Sequence, residues 1–153
     1  MGAPSGTPHQ NSDNSVRLVI GSRFENLALV HALIEGLARE RRLDEDTTQA
    51  LLYAVIEAGT NAIQHGNVFA ADKSVTFDFR LTDGTLEVQV DDRGHGFDPE
   101  KLVNPTDESA LLSTHGRGIY LMRQLVDEVS FDIRPDHGTT VRLKKTFAAR
   151  SST

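Results

Sequence analysis

Glu57 and Asn61 stand four residues apart in the run Glu57-Ala-Gly-Thr-Asn61-Ala-Ile-Gln-His65-Gly-Asn67. On a helix each residue advances about 100°, so these two side chains fall within roughly 40° of each other on one stripe. Leu51, Ala54, Val55, Ala58 and Ala62 fill the neighbouring arc, which puts the stripe at the edge of an apolar face. A carboxylate so placed can accept a proton or orient water. The carboxamide oxygen of Asn61 suits Mg²⁺, a hard cation that prefers oxygen ligands. His65 lies close to the same stripe, where it either touches a ligand or packs near the helix end.

A second block, Asp92-Arg-Gly94-His-Gly96, follows a strand pattern. A carboxylate at a strand end can accept the exocyclic amine of a base, and the glycines let backbone approach the ring. The same residues also make plain tight turns. Asp91 is a competing carboxylate, but alternation along the strand puts Asp91 and Asp92 on opposite faces. A third block, Gly116-Arg117-Gly118, leads into a helical pattern. Backbone N–H groups at a helix start favour phosphate. No Gly-x-x-x-x-Gly-Lys-Ser/Thr run is present, so this is not a P-loop.

The elements that must position these blocks follow from periodicity. Residues 1–15 are rich in Gly, Pro, Ser and Asn and read as a disordered tail. Residues 16–21 alternate as a strand. Ser22-Arg-Phe-Glu25 has the pattern of a capping box, and Phe24, Leu27, Val30, Ile34 and Leu37 then recur at helical spacing. Asp44 can cap a second helix running to about residue 65, with Gly66-Asn67 as a left-handed stop. Residues 73–81 and 85–90 form a hairpin around Asp83-Gly84. Residues 97–115 form a long connection, a helix covers 119–126, and 129–133 pairs with 139–145. The fold class is α+β, with one mostly antiparallel sheet and helices on one face.

The 153 residues suffice for one domain with a real core. There is no Cys, hence no disulfide framework and no thiolate chemistry. No apolar run approaches the roughly 20 residues of a membrane span, and the first residues lack the apolar stretch of a signal peptide. The expectation is a cytoplasmic protein that does not contact membranes. The net charge of −6 argues against direct nucleic-acid binding.

In their order and spacing, the three blocks resemble the N box and the two glycine boxes of the GHKL ATPases. That superfamily includes histidine-kinase catalytic domains and gyrase. Gly138-Thr139-Thr140-Val-Arg-Leu resembles its closing strand. The short single-domain form, with the phrases from Glu57 and from Gly116, resembles the anti-sigma-factor serine kinases. The resemblance implies a Bergerat-type α/β sandwich as the ATP-binding kinase domain at 16–147, flanked by tails at 1–15 and 148–153. It implies ATP and Mg²⁺, with Glu57 as catalytic base and Asn61 as the metal ligand. Asp92 would recognise adenine over Gly94 and Gly96, with Thr139 in support. Gly116, Arg117 and Gly118 would meet the phosphates, and 97–115 would form an ATP lid. Arg117, His115 and Lys101 all remain candidates for the cation at the γ-phosphate. The implied partners are a sigma factor and a STAS-domain anti-anti-sigma protein phosphorylated on Ser or Thr, with a homodimer also implied. Two alternatives stay open beside this kinase. One is a nucleotide-dependent interaction module with little phosphotransfer. The other is a switch kinase acting on STAS scaffolds without binding a sigma factor.

Overall fold

Val75, Phe77, Phe79 and Leu81 are buried, and the residues between them face away, as a period of two requires. They belong to β2 (Ser74–Thr82), which turns at Gly84 (φ 80°) into β3 (Thr85–Asp91). The computed structural model describes residues 14–98 and 114–148 of the chain. Within them β1 (Asn14–Gly21), β4 (Glu128–Arg134) and β5 (Gly138–Thr146) complete a sheet ordered β1-β2-β3-β5-β4. Every pairing in it is antiparallel.

Three helices occur among the described residues: α1 (Leu27–Arg41), α2 (Glu45–Asn61) and α3 (Thr114–Leu125). They share one core with the inner face of the sheet. Leu27, Val30, Ile34 and Leu37 of α1, Leu51, Val55 and Ala58 of α2, and Met122 of α3 join Phe77, Phe79, Val88, Val90, Val141 and Leu143 there. Phe77 and Phe79 are stacked and fully buried; removing either ring would cost about 3–5 kcal/mol. The outer face is polar and carries an Arg17–Asp78 ion pair at 2.6 Å. The α+β layering expected from periodicity is therefore present, with α2 lying centrally over the sheet beside α1 and α3.

α2 starts as its sequence demands. The Asp44 carboxylate accepts the Thr47 N–H at 2.7 Å and the Thr47 hydroxyl at 2.9 Å, satisfying a first-turn donor that has no helical acceptor. These bonds hold the Asp44 carboxyl below its ordinary pKa.

Four local expectations are corrected. Ser22 does not cap α1, because its hydroxyl donates to the Lys73 carbonyl at 2.6 Å and the chain instead enters through a short 3-10 turn, Phe24–Asn26. Phe24 is not core: it is exposed and meets Phe69 edge-on at 5.0 Å. The stop after α2 is not at Gly66-Asn67. A π-helical turn, Ala62–Gly66, intervenes, and the left-handed residues are Val68 (φ 51°) and Phe69 (φ 56°). Finally, α3 begins at Thr114, so Gly116 and Arg117 lie in its first turn and Gly118 just beyond, rather than all three preceding it. The expected tail begins outside the described residues, but Asn14 and Ser15 already belong to β1. The expected lid, apart from residues 97, 98, 114 and 115, also lies outside them.

Candidate nucleotide site

Glu57 and Asn61 occupy successive turns at the end of α2, and Glu57 faces α3. Glu57 is half-buried. Gly118 of α3 stands directly over it: a Cβ on Gly118 would lie 2.8 Å from the Glu57 carboxyl carbon and nearer still to Oε2. Only a residue without a side chain leaves the carboxylate where it is. The third block of the sequence is thus set against the first, glycine backbone against carboxylate.

Asn61 is 1% exposed, and among the described residues neither its Oδ1 nor its Nδ2 has a hydrogen-bond partner. A buried carboxamide left unsatisfied costs on the order of 1–3 kcal/mol, so it calls for a partner from elsewhere. An oxygen-seeking cation at Oδ1 fits that need, and Mg²⁺ commonly takes one or two protein ligands together with phosphate oxygens.

Asp92 follows β3 and is 2% exposed. Its Oδ1 accepts the N–H of Gly94 at 2.9 Å and of Thr139 at 3.2 Å. Its own N–H donates to the Thr139 carbonyl at 3.1 Å. Burial pushes its carboxyl above the ordinary value, and those two N–H bonds together with Arg134 only partly offset this, while Asp91 adds to the rise. Asp91 points to the other face, where it accepts the Thr140 hydroxyl and the Gln89 amide. The pleat thus sends the two carboxylates to opposite faces, as the strand alternation predicts.

The glycines and Thr139 have definite places. Gly94 packs on the backbone of Gly66, where a Cβ would sit 3.1 Å from the Gly66 Cα and closer to its carbonyl. Gly96 adopts φ 85°, a conformation that side chains disfavour, next to Ile133. Thr139 is fully buried, and its hydroxyl accepts the Phe97 N–H at 3.1 Å. The N–H groups of Gly116 and Arg117 are among the first four of α3, which have no helical acceptor. His65 lies 6.2 Å, ring to ring, from Phe97. Lys101 and the side chains of His115 and Arg117 lie outside what the structure describes.

Sequence reasoning missed Gly66 and Asn67 as parts of the site. Gly66 lies flush against the Asp92 carboxylate, 2.7 Å from its Oδ1 for a built Cβ. Asn67 is buried and accepts the Arg93 N–H at 2.8 Å. The available signal was their place directly after the Glu57–Asn61 stripe, which read as a helix stop instead.

The arrangement offers a proton acceptor, a buried neutral oxygen and a buried carboxylate lined by backbone. Residues 20–145 match the model of the histidine kinase-like ATPase domain family. The chain is 36% identical over 129 residues to the serine-protein kinase RsbW of Bacillus licheniformis, covering 79% of this chain and 78% of that one. It is 27% identical over 137 residues to the anti-sigma F factor of Clostridium botulinum, covering 88% and 96%. Among solved structures, the RsbU and RsbW domains of a Mycobacterium tuberculosis protein superpose with a TM-score of 0.61 at 22% identity. That match covers 90% of this chain and 35% of the longer one, and it speaks to the fold alone.

Proposed function

The chain belongs to the histidine kinase-like ATPase family, and from that premise we propose that it is an ATP-dependent serine-protein kinase and anti-sigma factor. It phosphorylates a STAS-domain anti-anti-sigma protein and sequesters a sigma factor. Residues 16–147 form the kinase domain, which works in the cytoplasm as a homodimer. Among the described residues no helix is long and apolar enough to cross a membrane. The names of the relatives support the kinase and anti-sigma activities.

Asp92 accepts the adenine amine, with Gly94, Gly96 and Thr139 holding its surroundings. The N–H groups of the first turn of α3, including those of Gly116 and Arg117, donate to phosphate oxygens, with Gly118 beside them. Asn61 Oδ1 is the protein ligand for Mg²⁺. When bound, that ion neutralises charge on the phosphates. Glu57 takes the proton of the partner's hydroxyl as its oxygen bonds to the γ-phosphorus and the bond to ADP breaks.

The observation that carries this reading is the seat of Gly118 on Glu57, which brings the first turns of α3 beside the residue proposed as base. The experiment is incubation with γ-labelled ATP, Mg²⁺ and a STAS-domain partner. Label on a partner Ser or Thr supports the kinase. Nucleotide-dependent binding without label would favour an interaction module instead.

A further inference from the structure

Asn67 is 2% exposed and uses its whole carboxamide. Its oxygen accepts the Arg93 N–H at 2.8 Å; its nitrogen donates to the Ser22 hydroxyl at 2.9 Å and the Ser74 carbonyl at 3.0 Å. The Ser22 hydroxyl in turn donates to the Lys73 carbonyl. One side chain therefore joins the exit of α2, the start of β2, the turn after β1 and the residue following Asp92.

The placement matters because of what flanks it. The residue before Asn67 is Gly66, which touches the Asp92 carboxylate; the residue after Asp92 is Arg93, whose N–H Asn67 holds. The ladder pairings of β3 end at Asp91; past them the Asp92 N–H bonds to the Thr139 carbonyl of β5, and the Arg93 N–H bonds to Asn67. The two backbones that meet at Gly66 and Asp92 are clamped by Asn67 from one side. Beyond it, Val68 and Phe69 take left-handed backbone that a β-branched residue disfavours. Such strain persists only where surrounding bonds over-determine it, and the Asn67 bonds with the Phe24–Phe69 contact do so here.

We propose that Asn67 is a positioning residue for base recognition, fixing the separation of Gly66 and the Asp92 carboxylate and so how strictly a purine amine is read. This rests on the assignment of Asp92 to adenine.

The test compares ADP with purine riboside 5′-diphosphate, which lacks only the exocyclic amine, by calorimetry on the full chain. Native protein prefers ADP by about tenfold or more, the worth of a charge-assisted bond. Asn67→Ala lowers that preference below about threefold in protein that circular dichroism shows to be folded. Ser22→Ala, which spares two of the three Asn67 bonds, cuts it by about half. A merely structural role would lower the melting temperature of both variants and leave the preference intact. A folded Asn67→Ala with the native preference overturns the proposal. If that variant does not fold, an undiminished preference in Ser22→Ala overturns it. Native protein with no preference removes the Asp92 assignment and this proposal with it, whereas a native preference kept by the variants removes Asn67 alone.

Discussion

Gly66 and Asp92 are in direct contact: a Cβ on Gly66 would fall 2.7 Å from the Asp92 Oδ1 and closer still to the other carboxyl atoms. The carboxylate cannot retreat freely, because the N–H groups of Gly94 and Thr139 hold it. Gly66→Ala is therefore expected to lower stability by about 1–3 kcal/mol through overpacking. It should also weaken ADP binding by about tenfold or more, since the acceptor for the amine moves. Denaturant unfolding and calorimetry measure the two effects, and unchanged ADP affinity would mean Asp92 does not face the base.

Acidification supplies an independent test of the same carboxylate. Burial raises the Asp92 pKa above its unfolded value. Between those two values Asp92 holds more protons in the native state, so its contribution to stability falls as pH rises across that window. ADP affinity runs the other way, rising with pH through the window, because the amine needs an ionised acceptor. Asp92→Asn should remove the contribution of this carboxylate to both slopes and weaken ADP by roughly 10- to 150-fold. Calorimetry across a pH series with native and variant protein checks this; a flat profile in the native protein contradicts it.

Gly118 sets stability against function. A glycine inside a helix costs about 0.5–1 kcal/mol relative to alanine, so Gly118→Ala should firm α3. Its methyl group would strike the Glu57 carboxylate, which can swing aside because it ends a flexible side chain. Thermal melts should show equal or greater stability, and ADP affinity should stay within about threefold. Phosphoryl transfer should drop by about 10²-fold as the base is displaced. Unaltered transfer would mean that Glu57 need not hold its observed position.

The sheet was legible because Val75 to Leu81 and Leu86 to Val90 alternate without interruption, and α2 because Asp44 caps it and its apolar stripe is continuous. The start of α1 was not, because Ser22 bonds to Lys73, distant in sequence, where a local cap was expected. The exit of α2 misled for a related reason. Gly66 read as a conformational stop, whereas its lack of a side chain serves a contact with Asp92 that only the folded chain creates. Likewise the pleat separates Asp92 from Asp91, but nothing local in the sequence reveals that Asn67 holds the peptide after it. Residue types supplied the candidates; the tertiary bonds that aim those residues were invisible.

The central claim is that Glu57 is the base for phosphoryl transfer, and Glu57→Gln tests it with the least disturbance of shape. Calorimetry with ADP and Mg²⁺ should give the native affinity, because Asn61 and Asp92 are untouched. A label-transfer assay with γ-labelled ATP and a STAS-domain partner should then show a rate lower by about 10²–10⁴-fold. Transfer at the native rate by a variant that binds nucleotide normally would contradict the account.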